Sequence, residues 1–407
     1  MKIIRINQNI CFFSRKNVNS PFLTTINSLQ LKEIPHFVRN DAQSHQNDVQ
    51  SHFRKLTVLG IMSGTSLDGL DLALCSFWKN DTGFCYEILK TKTFAYSQSL
   101  QQKLQELFHS AAIDFCHTEV AFSNFMAQCV NQFLVNSEIK PDYIAAHGHT
   151  VFHQPEKGLT KQMGNGAILA AKTEISTICD FRTTDVALGG QGAPLVPIGD
   201  ELLFSDYSGC LNLGGIANIS MQQAAHRIAY DISLCNIPLN YLAKQLGYEF
   251  DNEGKTAEQG NVSQSLLEEL NKHDYFFQTG AKSIGFEMFA HYVKPLLDKA
   301  SIPVEDKLRT LCEHISEQIA QNINTLPKVL VTGGGARNSF LIELIQQKTN
   351  TQLVIPDNQI IDFKEALIFA FLGYLRVHEE NNCLKSVTGA TKNSCSGAIY
   401  IAKNNRF

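Results

Sequence analysis

The chain lacks any run approaching the ~18 consecutive apolar residues that a membrane-spanning helix needs. It also lacks a CxxC pair, although it carries 11 cysteines, an odd number, scattered from Cys11 to Cys395. A disulfide scaffold would be short and evenly paired, and a zinc site would show closely spaced ligands. The pattern reads instead as free thiols in a reducing cytoplasm. No sign of charge dominates: 35 Lys and Arg stand against 39 Asp and Glu, net −4. The basic footprint of a nucleic-acid binder is therefore missing. No G-x-G-x-x-G follows a strand pattern, which argues against a dinucleotide site. The segment from Gly166 to Thr173 falls short of a P-loop because Ala171 stands where the second glycine belongs. His147, His149 and His153 have no accompanying zinc-helix motif, so hydrogen bonding to a sugar or to core carbonyls is the expected use.

What is present is a chain of 407 residues, 44% apolar and 18% charged, enough for two or three domains with a sizeable core. Residues 1–55 differ from the rest. They carry eight basic and three acidic side chains, against 27 and 36 in the remainder, and show no core-forming period. Lacking an apolar h-region and a cleavage site, this leader is no secretory signal; a disordered extension over 1–55 is expected. From Leu56 onward short β-branched runs alternate with helical periods. Strands are expected over 56–61, 70–78, 84–96, 143–146 and 175–179. A second group follows over 210–213, 216–220, 228–231 and 328–332. Helices are expected near 100–108, 120–134, 238–246, 285–297, 308–323, 338–347 and 362–377. Twice the chain runs hairpin strands first and helices afterwards, an α/β architecture of two similar lobes with a ligand crevice between them.

Four glycine-rich turns carry the functional signal. Gly60-Ile61-Met62-Ser63-Gly64-Thr65-Ser66-Leu67-Asp68-Gly69-Leu70-Asp71 offers backbone N–H groups and hydroxyls to a phosphate. Asp68 and Asp71 would repel that phosphate unless a magnesium ion lay between them; an ordinary hairpin turn is the alternative. Leu213-Gly214-Gly215-Ile216 is a second turn between strands. Thr332-Gly333-Gly334-Gly335-Ala336-Arg337-Asn338 leads a strand into a helix N-terminus, suited to nucleotide contacts. The fourth, Gly189-Gly190-Gln191-Gly192-Ala193-Pro194, follows Asp180-Phe181-Arg182-Thr183-Thr184-Asp185 and suits a polyhydroxylated substrate.

These four motifs together resemble the anhydro-N-acetylmuramic acid kinase family, over roughly residues 56–405. The resemblance implies two ribonuclease-H-like lobes of the actin-like ATPase fold clasping ATP and a sugar. The lobes would comprise 56–179 plus 383–407, and 180–382. It implies transfer of the ATP γ-phosphate to O6 of 1,6-anhydro-N-acetylmuramic acid while water opens the ring at C1, a step in cytoplasmic peptidoglycan recycling. ATP and Mg2+ would be the cofactors, with no nucleic-acid or membrane partner and a homodimer allowed. Carried over residue by residue, ATP falls to Gly64, Thr65, Ser66, Leu67, Asp68, Gly69, Leu70 and Asp71. Gly214, Gly215, Gly333, Gly334, Gly335 and Asn338 complete the nucleotide set, and Asp68 would hold magnesium directly or through water. The sugar falls to His147, Arg182, Asp185 and Gln191, and catalysis to Asp231 and Glu365. The alternative to a base at Asp231 is a helix N-cap.

The sequence departs from the family pattern where Asp231-Ile232-Ser233-Leu234-Cys235-Asn236 replaces a glycine-containing loop. Asn240 stands for a later Asp, and His149 for Gln. In Lys282-Ser283-Ile284-Gly285-Phe286-Glu287, Ile284 and Phe286 differ from the family. Two further readings stay open: a kinase for another amino sugar, and an actin/Hsp70-like ATP switch.

Overall fold

The computed structural model describes residues 53–64, 67 and 69–402. The first sheet holds β1 (Leu56–Ser63), β2 (Gly69–Asn80), β3 (Gly83–Ala95), β4 (Tyr143–Gln154), β5 (Leu159–Met163) and β6 (Thr177–Cys179). The second holds β7 (Gly209–Leu213), β8 (Ile216–Gln223), β9 (His226–Leu234), β10 (Lys328–Thr332) and β11 (Gln352–Val354). The chain then returns to the first sheet with β12 (Ala398–Tyr400), giving the order β12-β6-β4-β1-β2-β3 with β5 paired to β4. The second sheet runs β11-β10-β7-β8-β9. In each, an antiparallel three-strand meander continues through its first strand into parallel neighbours: β1 pairs with β4, and β7 with β10. The two sheets are thus copies of one ribonuclease-H-like topology, as the repeated strand-then-helix order implies.

Helix Ala112–Leu134 covers one face of the first sheet through Phe122, Met126, Val130 and Phe133. The second sheet is covered by helix Val304–Ile323, whose Leu308, Leu311, Ile315 and Ile319 recur at helical spacing and are buried. Helix Asn358–Val377 is apolar almost all round, from Ile360 to Leu375. A helix of that composition must be buried on all sides. It packs against β1, β2 and β4 and also touches β10. Although the sequence division grouped it with the second lobe, its main contacts are with the first sheet. Its backbone comes so near that a Cβ on Gly60 would stand 1.9 Å from the Ala366 carbonyl oxygen, and one on Gly373 2.6 Å from Ala145 Cβ.

Most expected elements are present, with two informative differences. The strand expected over 143–146 runs on to Gln154 and turns back as β5, carrying the histidine segment into a hairpin. The strand expected to stop at Asp231 runs on to Leu234. Ile232 and Leu234 are buried, and no glycine interrupts the strand there. All ten cysteines among the described residues are free, and no helix among those residues is long and apolar enough to cross a membrane.

The boundary expected at residue 55 needs correction, while the rest of that leader lies outside the described residues. The Phe53 ring packs edge-on against Phe84 at 5.0 Å and stacks on Tyr374 at 6.2 Å. Arg54 N–H donates to His378 Nε2 (3.2 Å), and its carbonyl accepts from the Tyr374 hydroxyl (3.2 Å). A truncated chain starting at Lys55 or later should therefore be less stable than one starting at Phe53, by about 1–2 kcal/mol for a half-buried aromatic. Urea unfolding of the two chains checks this; equal midpoints would show that Phe53 does not contribute.

Candidate active site

The glycine turns of the second sheet form one nest. Gly333 has φ +82°, and a Cβ there would meet Asn212 Oδ1 at 2.5 Å and the Leu213 carbonyl at 2.9 Å. A Cβ on Gly335 would meet Leu213 Cβ at 2.8 Å. The 333–335 turn can therefore lie against Asn212 and Leu213 only because Gly333 and Gly335 lack side chains. Asn236 joins them: its Nδ2 donates to the Leu213 carbonyl (3.0 Å), and its backbone N–H to the Gly214 carbonyl (3.1 Å). Sequence reasoning left Asn236 out of the site, although it sits at the crossing of the turns. Asn338 caps helix Ser339–Lys348 by accepting from Leu341 N–H (3.0 Å), which fixes the direction of the helix leaving this nest.

In the first turn, Thr65, Ser66 and Asp68 lie outside the described residues. Leu67 is buried at φ +58°, a left-handed backbone that a leucine adopts only under local constraint. Gln101 Nε2 donates to its carbonyl at 2.8 Å. Gly69 and Leu70 open β2, and Asp71 follows with Oδ1 accepting from the Thr93 hydroxyl (2.5 Å). Beneath the turn, the Tyr96 hydroxyl donates to Ser63 Oγ (2.7 Å), which lies 3.2 Å from His149 Nδ1. The histidine that replaces the family's glutamine is thus a buried support of the turn, its pKa lowered by burial.

Glu365 lies on helix Asn358–Val377 and its side chain is exposed. Desolvation by the surrounding protein raises its pKa; Lys364 opposes that shift, Asp71 adds to it and Arg182 opposes it. Glu365 is thus within electrostatic range of Asp71 and Arg182. Arg182 donates from Nε to His147 Nε2 (3.0 Å) and from NH1 to the Gly192 carbonyl (2.6 Å). Burial pushes its pKa down to about 10, leaving it cationic at neutral pH. His147 accepts at Nε2, so Nδ1 carries the proton toward the Gly148 carbonyl (2.8 Å). Burial first, and the Arg182 charge second, hold this imidazole neutral. His147 is an orienter of the guanidinium.

Asp185, expected beside the sugar, is wholly buried. Oδ2 accepts from Gly192 N–H (2.7 Å); Oδ1 accepts from the Thr388 hydroxyl (2.8 Å) and faces Cys383 Sγ (3.1 Å). Here it builds the glycine turn and is closed to a ligand. Gln191 on that same turn is exposed. Asp180, which the sequence did not single out as a site residue, is exposed at φ +60° at the end of β6 and accepts from the Thr183 hydroxyl (2.6 Å). A strained, exposed carboxylate two residues before Arg182 is a feature that only the backbone reveals.

Asp231 is not a helix cap. It lies inside β9, and helix Asn236–Gln245 is entered through Cys235 without a side-chain cap. Asp231 Oδ2 accepts from the Ser283 hydroxyl (3.0 Å) and from Ile284 N–H (2.9 Å), and the Tyr275 hydroxyl donates to its carbonyl (2.6 Å). Burial raises its pKa, and those two hydrogen bonds oppose the rise. Among the described residues, no interaction joins it directly to Glu365.

Two sheets of one ribonuclease-H-like topology, with glycine turns at the ends of β7 and β10, define a two-lobed α/β protein. The chain belongs to the anhydro-N-acetylmuramic acid kinase family: the model of that family, described as "Anhydro-N-acetylmuramic acid kinase", matches residues 56–402. The protein of that name from Hydrogenovibrio crunogenus is 33% identical over 365 residues, covering 84% of this chain and 97% of its own length. The one from Vibrio cholerae serotype O1 is 34% identical over 364 residues, with 84% and 97% covered. Among solved structures, the activator of the 2-hydroxyisocaproyl-CoA dehydratase from Clostridium difficile is 12% identical with a TM-score of 0.39. That comparison covers 79% of this chain and 97% of the other.

Replacing Asp185 by Asn leaves one oxygen for three partners and should cost about 1–3 kcal/mol of stability. Thermal unfolding of the Asp185→Asn chain checks this. Unchanged stability would return Asp185 to the role of a free ligand-binding group.

Proposed function

We propose that this chain transfers the γ-phosphoryl group of ATP to O6 of 1,6-anhydro-N-acetylmuramic acid as water opens the anhydro ring at C1. The product is N-acetylmuramic acid 6-phosphate, and the proposed setting is the cytoplasm, where ATP is available. The observation that carries this reading is the Asp231 carboxylate: one oxygen is fixed by Ser283 and Ile284, and Oδ1 has no partner among the described residues. An oriented carboxylate with raised pKa and one free oxygen is suited to take a proton from water attacking C1. As that bond forms, the C1–O6 bond breaks and O6 becomes the nucleophile for phosphorus, so a single base serves both halves.

The remaining residues bind and orient. In this reading the nest of Gly214, Gly215, Gly333, Gly334 and Gly335 presents backbone N–H groups to the nucleotide, and Asn338 directs the adjoining helix. Gly64, Leu67, Gly69 and Leu70, with Thr65 and Ser66 as sequence candidates, would take further phosphate contacts. Arg182, held by His147, and the exposed Gln191 face the sugar; Asp185 supports them from behind. Glu365 orients water. The hard carboxylate oxygen of Asp71, already paired to a neutral hydroxyl at Thr93, fits a magnesium–ATP complex, with Asp68 as the proposed ligand. When bound, magnesium neutralises the charge on the phosphates.

Asp231→Asn keeps an acceptor for Ser283 and Ile284, so the melting temperature and ATP affinity should stay near wild type. Turnover should fall by a factor of roughly 10²–10⁴, the usual worth of a positioned base. Steady-state kinetics with calorimetric ATP titration provides the check; an Asn variant with full turnover would move the base elsewhere.

A further inference from the structure

Three charged side chains that the proposed chemistry does not use are buried together between the sheets. Asp200, Arg227 and Lys364 are 2%, 4% and 6% exposed. Lys364 Nζ stands 2.8 Å from Asp200 Oδ1, and Arg227 NH2 stands 3.9 Å from Oδ2. Arg227 also donates from Nε to Ser220 Oγ (2.7 Å) and from NH2 to the Ser220 carbonyl (3.0 Å). Lys364 lies over the Phe204 ring, 5.4 Å from its centre.

As a source of stability this group is poorly made. Taking three charges out of water costs several kcal/mol each, and attraction repays it only when hydrogen bonds also align. Here Asp200 Oδ1 has no aligned hydrogen-bond donor despite the nearby ammonium. Two cations face one carboxylate, and a close-packed apolar triad would serve a core at least as well.

Its placement gives it another use. Lys364 immediately precedes Glu365 on helix Asn358–Val377. Arg227 lies on β9, the strand that carries Asp231. Asp200 lies on helix Pro197–Leu203, which directly follows the Gly189–Pro194 turn and packs against β3, β8, β9 and helix Asn358–Val377. One carboxylate therefore ties together the two elements that carry Asp231 and Glu365, from the helix that follows the Gly189–Pro194 turn.

We infer that the buried Asp200–Lys364–Arg227 triad is a positioning device that fixes helix Asn358–Val377 against β9 and so holds Glu365 in register for the reaction. This rests on the proposed role of Glu365. Because misplacement of a reacting group by about 1 Å can cost a hundredfold in rate, the triad acts on kcat through Glu365. It touches neither ATP nor sugar, so both KM values are spared.

The test is a mutant cycle on the full chain. Lys364→Met, Asp200→Asn and the apolar triple variant Asp200→Leu/Arg227→Met/Lys364→Met are each made with Glu365 intact and with Glu365→Gln. Melting temperature, kcat and both KM values are measured. With Glu365 intact, folded variants should lose about ten- to hundredfold in kcat, with KM for ATP and sugar within about twofold. The charge-preserving Lys364→Arg should recover most of the rate. In the Glu365→Gln background the same variants should cause no further loss, the non-additivity expected of groups acting as one unit. A folded triple variant with wild-type kcat would overturn the inference, as would equal losses in both backgrounds. Failure of every variant to fold would make the triad a stability element only, and would overturn it too. A fully active Glu365→Gln chain would reject the role of Glu365 itself, a result read independently of the triad.

Discussion

The arrangement depends on one close approach: the backbone of helix Asn358–Val377 lying directly on β1 at Gly60. With no side chain there, the Ala366 carbonyl reaches within 1.9 Å of where a Cβ would be. That contact sets the depth of the helix, and so the position of Glu365 one residue earlier. The same helix touches β10 in the other sheet, and its Lys364 meets Asp200 and, through it, β9. A single buried helix thus shares its faces between two topologically equivalent sheets. The geometry of the cleft follows from how tightly it is held.

Around that helix the side chains divide by what they hold. His147 holds Arg182, Asp185 holds the Gly192 turn, and Ser283 with Ile284 holds Asp231. Groups proposed to meet ligand are each oriented by a hydrogen-bonded neighbour, buried at His147 and Asp185 and exposed at Ser283. Such orientation lets a phosphoryl transfer proceed by positioning and charge, without a covalent intermediate.

Much of this was legible in the sequence. β-branched runs broken by glycine turns gave the strands, and the apolar period of residues 308–323 gave a helix packed on one face. The four turns carried the resemblance to the family. What the sequence hid was three-dimensional. The polar type of Asp185 suggests a ligand contact, whereas its burial is decided by Thr388 and Cys383, some 200 positions away in the chain. A helix cap was the alternative reading of Asp231, but Ile232 and Leu234 extend β9 past it. Lys364 and Asp200 belong to no motif that marks them, and only the fold buries them against each other. The positive φ at Asp180 is a property of the backbone that no residue type announces.

The central claim is that ring opening by water and phosphorylation of O6 are one coupled event in this cleft. It is tested most directly by turning over ATP and 1,6-anhydro-N-acetylmuramic acid in water labelled with heavy oxygen, and locating the label by mass spectrometry. The account predicts one labelled oxygen at C1 of N-acetylmuramic acid 6-phosphate, none in its phosphoryl group, and one ADP formed per sugar. Label in released inorganic phosphate with the anhydro sugar left intact would contradict it.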